Sequence, residues 1–180
     1  MSEVTITQPW DLAGADGLVA ARALFGEAVD HLAPFQSMET ELEGVPCAVL
    51  RLCDRNFRIT YPGHLDHRVA PLRLQLWVKR LDWMGRLVLP NSPSTTAPTA
   101  ESLPAIAAQA TVRAPHRLHS LPLHSAVPAH VATFPVLVWH HPLGDRPGLE
   151  LHLAHRHIEN FYRLIPAFKG RSVSLTTASS

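Results

Sequence analysis

Histidine is the residue type in this chain that is best suited to carry chemistry. The sequence has 12 histidines, and nine of them fall between His116 and His157. Neutral imidazoles bind zinc, copper, nickel or iron, and a catalytic zinc needs three protein ligands plus an open position. Imidazole is also the side chain that most readily exchanges a proton near neutral pH. This stretch is therefore where a metal centre or an acid–base site is expected.

A hairpin in this stretch gives the histidines a testable geometry. Two strand-like runs, Phe134–His141 and Gly148–Ala154, are joined by residues typical of a turn at 143–147. We predict that Leu143 pairs with Leu149, which fixes every other cross-strand pair because side chains alternate between the two faces.

In that register His140 lies opposite His152, and Glu150 projects from the same face. We predict His140, Glu150 and His152 as ligands of a divalent transition metal, or as a general base beside a polarising group. A register shift of one residue would replace His140 by His141 on this face.

Other interpretations of the histidines stay open. They could be surface residues that make hydrogen bonds without a ligand, or a cluster that responds to mild acid. No His-Glu-x-x-His or Cys-x-x-Cys motif supports a metal site. The pairs His64-x-x-His67 and His116-x-x-His119 are predicted in loops, where a spacing of three does not fix a common face.

A second candidate site is a basic, aromatic face on a predicted strand over residues 72–79. Leucines and a valine alternate there with larger polar and aromatic residues, which predicts one buried and one open face. We predict Arg73, Trp77 and Lys79 as a surface that binds an anionic or planar ligand. The alternative is that a helix or loop covers this face.

The helices and strands that would position these sites are predicted from changes in the spacing of the apolar residues along the chain. A helix is predicted from Asp16 to about His31, with Asp16 as its N-cap, and a closing helix from Ile158 to about Gly170. Between them, period-two runs predict an antiparallel meander that begins with a hairpin around residues 46–61. Residues 90–130 hold seven prolines and predict a long connection with at most a short helix at 102–110.

The expected fold is α+β: an antiparallel sheet of about six or seven strands with an N-terminal and a C-terminal helix packed on it. A length of 180 residues suits a single domain, 1–180, with a loose lead-in at 1–12 and a frayed tail at 171–180. No apolar run approaches the roughly 20 residues of a membrane helix.

Charge and cysteine content restrict the function further. Residues 1–43 carry a net charge of −7 and residues 44–180 a net charge of +8, which sums to the overall +1. This split fits an acidic element docked on a basic one, or a basic face for an external anion.

Cys47 and Cys53, about 20 Å apart along one strand, are expected to be free thiols in a reducing compartment. The preference for arginine over lysine is typical of a GC-rich bacterial genome.

No phosphate-binding glycine loop or nucleophile elbow is present in the sequence. The function expected first is therefore a non-catalytic cytoplasmic accessory or binding protein that recognises a protein partner or an anionic small ligand. A metal-dependent enzyme built on the hairpin is the alternative, and an RNA-binding module is a weaker one, because the isoelectric point near 8.0 is low for that class.

Overall fold

The structure is a computed structural model that describes residues 8–90, 99–164 and 174–175. Its contacts divide the chain into two compact units. The N-terminal unit is Thr7–Asp82, and the C-terminal unit is built from Trp83 onward. Each unit has its own buried apolar cluster. The single-domain organisation of 1–180 stays a prediction, because a compact unit need not fold as an independent domain.

The N-terminal unit is an antiparallel sheet of five strands in the order β2-β3-β4-β1-β5, with helices on one face. Its core holds Leu12, Phe57 and Ile59, none of which is exposed to solvent, packed with the apolar residues of two short helices. The elements are β1 Trp10–Gly14, α1 Gly17–Phe25, β2 Ser37–Leu42, β3 Val45–Cys53, β4 Asn56–Ile59, α2 Leu65–Val69 and β5 Leu76–Arg80. The β3–β4 hairpin, with its turn at residues 54–55, confirms the hairpin predicted around residues 46–61.

The predicted N-terminal helix is shorter than the sequence suggested. Helix α1 ends at Phe25, and Gly26 adopts a positive φ of 84° before a separate 3-10 turn at Glu27–His31. Glycine takes this conformation without steric cost, so the chain leaves the helix there. Asp16 makes no side-chain cap; its Oδ2 instead accepts a hydrogen bond from the Gln75 backbone N–H at 2.7 Å. The predicted lead-in at 1–12 was wrong from Trp10 onward, because β1 starts there.

The strand predicted over residues 72–79 begins four residues late. Ala70–Leu72 form a 3-10 turn, and Arg73 closes it in a left-handed conformation with φ of 52°. Since a strand cannot pass through that conformation, β5 starts only at Leu76, and the predicted alternation holds from Leu76 to Arg80.

The C-terminal unit is an antiparallel sheet of six strands in the order β11-β6-β10-β9-β8-β7. Leucines and valines from one face of β6, β8, β9 and β10 form its core with Ile106 and Phe161. The elements are β6 Met84–Pro90, α3 Thr99–Ala107, β7 Ala110–Val112, β8 Ser125–Val131, β9 Phe134–Leu143, β10 Arg146–Ala154, α4 Ile158–Leu164 and β11 Ser174–Leu175.

The proline-rich connection at 90–130 contains more regular structure than predicted. Its short helix is present as α3, but β7 and most of β8 also fall within the range. Pro128 lies in β8 even so, exposed to solvent, in a strand that pairs with both β7 and β9. The closing helix is described as far as Leu164, and its predicted continuation to Gly170 lies outside the described residues. Within the predicted frayed tail, Ser174 and Leu175 pair with Val88 and Leu87 of β6.

The α+β class with antiparallel sheets is confirmed, but the arrangement differs from the one predicted. The strands form two sheets of five and six instead of one, and the helices lie between strands as well as near the ends. In the described part of the chain, every helix is too short or too polar to cross a membrane.

The start of α1 provides a test of the packing in the N-terminal unit. A Cβ on Gly17 would lie 1.9 Å from the Arg55 carbonyl oxygen, whereas a Cβ on Gly44 would meet nothing within 4 Å. We expect Gly17→Ala to lower the free energy of unfolding by about 3 kcal/mol through overpacking. Gly44→Ala should cost only about 1 kcal/mol, from its positive φ.

Urea unfolding, monitored by circular dichroism, measures the free energy of unfolding of both variants. Helix propensity alone would make Gly17→Ala stabilising by up to about 1 kcal/mol. A gain in stability would therefore show that α1 does not contact the β3–β4 turn as described.

Candidate functional site

The candidate site is a group of polar and aromatic side chains on one face of the C-terminal sheet. In β10, Leu149, Leu151 and Leu153 point into the apolar cluster, so Glu150 and His152 point to the opposite face. On that face they meet Arg86 of β6 and two residues of β9. Glu150 is fully buried, and the exposed fractions of His152, His141 and Arg86 are 2%, 3% and 7%.

The register of the β9–β10 hairpin decides which histidine joins this group. Leu143 pairs with Arg146, so Glu150 lies opposite Trp139, and His140 lies opposite Leu149. The predicted pairing of Leu143 with Leu149 was wrong, because the turn has only two residues, Gly144 and Asp145, with Gly144 at a φ of 67°. The predicted loop was too long because it included Arg146 and Pro147, which are in β10.

The error of three residues is odd, and it therefore exchanges the two faces of β9. His141, not His140, shares a face with Glu150 and His152. His140 points to the apolar face, where its Nδ1 lies 3.0 Å from the Leu121 carbonyl oxygen as a hydrogen-bond donor. The predicted metal ligands His140, Glu150 and His152 are therefore not brought together.

The Glu150 carboxylate accepts four hydrogen bonds. Arg86 donates from Nε to Oε1 at 2.5 Å and from a terminal nitrogen to Oε2 at 2.7 Å. His141 Nε2 lies 3.1 Å from Oε2, and His152 Nε2 is hydrogen-bonded to Oε1. An ionised carboxylate offers about four lone-pair positions and no proton. Both imidazoles must therefore carry a hydrogen on Nε2, and no lone pair of Glu150 remains for a metal.

Opposing effects set the ionisation of this carboxyl. Burial by itself raises the pKa of Glu150, but the Arg86 guanidinium, His152 and the hydrogen bonds from both histidines outweigh it. The pKa of Glu150 consequently lies well below its usual range, and the group is a carboxylate at neutral pH.

Trp139 fixes the orientation of both imidazoles. Its ring, which is fully buried, stacks on His141 with centroids 4.0 Å apart and planes inclined by 22°. It also contacts His152 edge-on, with centroids 5.9 Å apart. The cluster of Arg86, Trp139, His141, Glu150 and His152, called here the Glu150 cluster, is a buried polar network whose members hold one another in place.

Arg86 and Trp139 were not predicted as members of this cluster, and His141 was predicted on this face only for a shifted register. A signal for a partner was present, because a glutamate between leucines in a strand must find a cation once both faces are covered. The position of that cation on β6 depended on a strand pairing that the sequence does not specify.

The second predicted set, Arg73, Trp77 and Lys79, is only partly brought together. Trp77 and Lys79 project from the same face of β5, and Trp77 is 52% exposed. Arg73 lies in the preceding turn and lines a cavity of about 230 Å³ together with Leu76 and Val78, whose side chains point to the other face. The strand predicted through Arg73 is absent there, so the three residues do not form one surface.

The face that carries Trp77 and Lys79 is also less basic than predicted. Asp11 of β1 pairs in register with Lys79 on one side and with Arg58 of β4 on the other. Arg58 holds the Asp11 carboxylate through two hydrogen bonds of 2.8 and 3.0 Å. A negative charge therefore lies between the two cations, which disfavours a small anion at this position.

The comparisons with known proteins concern the fold. No protein-family model and no curated protein matches the sequence. A chain of the heterotetrameric sarcosine oxidase from Corynebacterium sp. U-96, solved with pyrrole 2-carboxylate, superposes with a TM-score of 0.60 at 22% identity. The match covers 96% of this chain and 86% of that one. This chain therefore has the same fold as that chain of the oxidase.

A second solved structure extends the likeness to another enzyme. The glycine cleavage system aminomethyltransferase T from Bartonella henselae superposes with a TM-score of 0.56 at 14% identity over 86% of this chain. Our chain spans only 42% of the length of that protein. At these identities the likeness concerns the fold alone.

The Glu150 cluster predicts a pH-dependent stability. In Glu150→Gln the Arg86 cation stays buried without its counter-ion, so we expect a loss of about 3–5 kcal/mol in unfolding free energy at pH 7. The folded-state pKa of Glu150 is depressed, so its contribution is complete above the unfolded pKa of about 4.3 and decreases as the pH falls toward the folded value. The difference between wild type and variant should therefore shrink below about pH 4.

Urea unfolding at several pH values, followed by tryptophan fluorescence, measures this difference. Glu159→Gln is the matched control, since Glu159 pairs with Arg163 on an exposed helix face, and it should change stability by less than about 0.5 kcal/mol. Equal effects of the two substitutions at pH 7 would refute the structural role of the Glu150 cluster.

Proposed function

We propose that this protein is a non-catalytic accessory subunit that binds a protein partner within a multi-subunit enzyme. The likeness to a chain of a heterotetrameric oxidase is the observation that carries the proposal, because it extends over 86% of that chain and nearly all of this one. A likeness to a subunit over this length supports a role as a subunit of a similar assembly.

The chemistry of the buried polar groups supports a non-catalytic role. Glu150 is the only buried carboxylate in the described part of the chain, and its lone pairs are already occupied. A general base needs a free lone pair within hydrogen-bond distance of a substrate proton. Glu150 does not offer one, so we expect catalysis to be carried out by the partner.

The surface proposed for the partner is the β5 face, defined by Trp77 and Lys79. Trp77 is half exposed, and tryptophan is strongly enriched among the residues that dominate the energy of protein interfaces. In the described part of the N-terminal sheet, β5 is an edge strand that pairs only with β1. An edge strand with an exposed aromatic residue fits a protein partner better than a small anion, given the position of Asp11.

By analogy with the oxidase, the proposed partner is an enzyme that oxidises a small secondary amine such as sarcosine, in the cytoplasm. The test is purification of the chain at its native level from its source organism, followed by mass measurement and an assay for sarcosine-dependent oxygen consumption. We expect a complex larger than the single chain that oxidises sarcosine, whereas the chain alone does not. A chain that purifies alone, or that oxidises sarcosine by itself, would refute the proposal.

The β5 face predicts which variant weakens assembly. We expect Trp77→Ala to weaken binding to the purified partner by at least tenfold, because burial of the indole is lost. Trp83→Ala is the control, since Trp83 is 55% exposed but belongs to the other unit. Biolayer interferometry measures both dissociation constants, and equal affinities for wild type and Trp77→Ala would exclude the β5 face.

A further inference from the structure

Among the described residues, one group of metal-ligating side chains lies outside the Glu150 cluster and the β5 face. His64, Asp66 and His67 lie where the chain enters α2, and one ligand atom from each falls within 4.8 Å of the others. We propose that these three residues bind one divalent transition-metal ion, with zinc as the representative. This inference does not depend on the proposed function.

The distances in the group suit a metal better than direct hydrogen bonds. His64 Nδ1 lies 3.8 Å from Asp66 Oδ1, and His67 Nε2 lies 3.9 Å from Asp66 Oδ2, both too long for a hydrogen bond. Ligands of a tetrahedral zinc at about 2.0–2.1 Å lie roughly 3.4 Å apart from one another. The ligand atoms would therefore have to approach one another by only about 0.5–1.5 Å to bind zinc, which side-chain rotation can supply.

Asp66 carries an unsatisfied polar atom at the centre of the group. Its Oδ1 is shielded from solvent and has no hydrogen-bond partner, although the side chain as a whole is 47% exposed. A shielded carboxylate oxygen without a partner is costly. The neighbouring Arg68 does not compensate it, because Arg68 pairs with Glu43 instead. A bound cation would satisfy this oxygen.

The backbone that carries the group is held in place from two sides. Arg80 donates hydrogen bonds to the carbonyl oxygens of Pro62 and Gly63, at 3.2 and 2.7 Å. Gly63 packs against Tyr61 so closely that a Cβ would lie 2.6 Å from the ring, and Leu65 is fully buried. Anchored backbone keeps the ligands near one another and reduces the entropy lost on binding.

The donor set defines the class of metal. Two imidazole nitrogens and one carboxylate oxygen suit zinc, nickel or copper, whereas magnesium and calcium prefer sites made of oxygen alone. The imidazole rings stack with centroids 4.8 Å apart, and their side chains are 71% and 74% exposed. Three protein ligands at an exposed position leave room for water in the remaining coordination position.

The test is isothermal titration of zinc chloride into the full chain, stripped of metal and without a purification tag. We expect one zinc ion per chain with a dissociation constant in the micromolar range or tighter. His64→Ala, Asp66→Asn and His67→Ala should each weaken binding by at least tenfold. Because these side chains are exposed or half-exposed, the variants should keep the wild-type circular dichroism spectrum.

The matched control is the double variant His116→Ala, His119→Ala, which removes a second His-x-x-His pair of the same spacing. It should bind zinc as the wild type does. A second readout is the ring nitrogen chemical shifts of His64 and His67, which should change on addition of one equivalent of zinc. The proposal is overturned if no saturable binding occurs, or if the variants in the group bind zinc like the wild type.

Discussion

The buried carboxylate of Glu150 constrains the C-terminal unit more than any other single group. It lies between leucines that belong to the core, and it is stable there only because its neighbours on β6, β9 and β10 supply a cation and further hydrogen-bond donors. A slip of β10 by one residue would move Glu150 into the apolar cluster, where it has no partner. The network therefore favours one register for three adjacent strands. An apolar cluster of the same volume could make the unit more stable, but it would not specify the register in this way.

A smaller version of the same arrangement is present in the N-terminal unit. Asp11 and Arg58 are partners in the β1–β4 register, and they are joined by two hydrogen bonds. Their side chains are 17% and 10% exposed, so the pair is nearer to solvent than Glu150 and loses less hydration on folding. Each unit thus places an acid–base pair on the sheet face opposite its apolar cluster, where in-register pairing decides which charges meet.

The sequence predicted the parts of the fold that depend on local period. Alternation correctly assigned Leu149, Leu151 and Leu153 to one face of a strand, and the β3–β4 hairpin followed from its turn residues. The sequence did not predict the β9–β10 register, because Arg146 and Pro147 resemble loop residues and the true turn has two residues. Arg73 was wrongly placed in a strand because its left-handed conformation follows the 3-10 turn at Ala70–Leu72, which the alternating pattern did not indicate.

The histidines show why a candidate site is harder to predict than a strand. Their density between His116 and His157 indicated a common site, but in strands neighbouring residues point to opposite faces. His140 and His141 are adjacent in sequence, yet one bonds a backbone carbonyl on the apolar face and the other bonds Glu150. The pair His64 and His67, far from that dense stretch, stacks ring on ring because a helical turn brings positions three apart together. Residues that are close in sequence are close in space only where the period of the local structure brings them together. The loop predicted for His64 and His67 was wrong, because α2 supplies a helical period there.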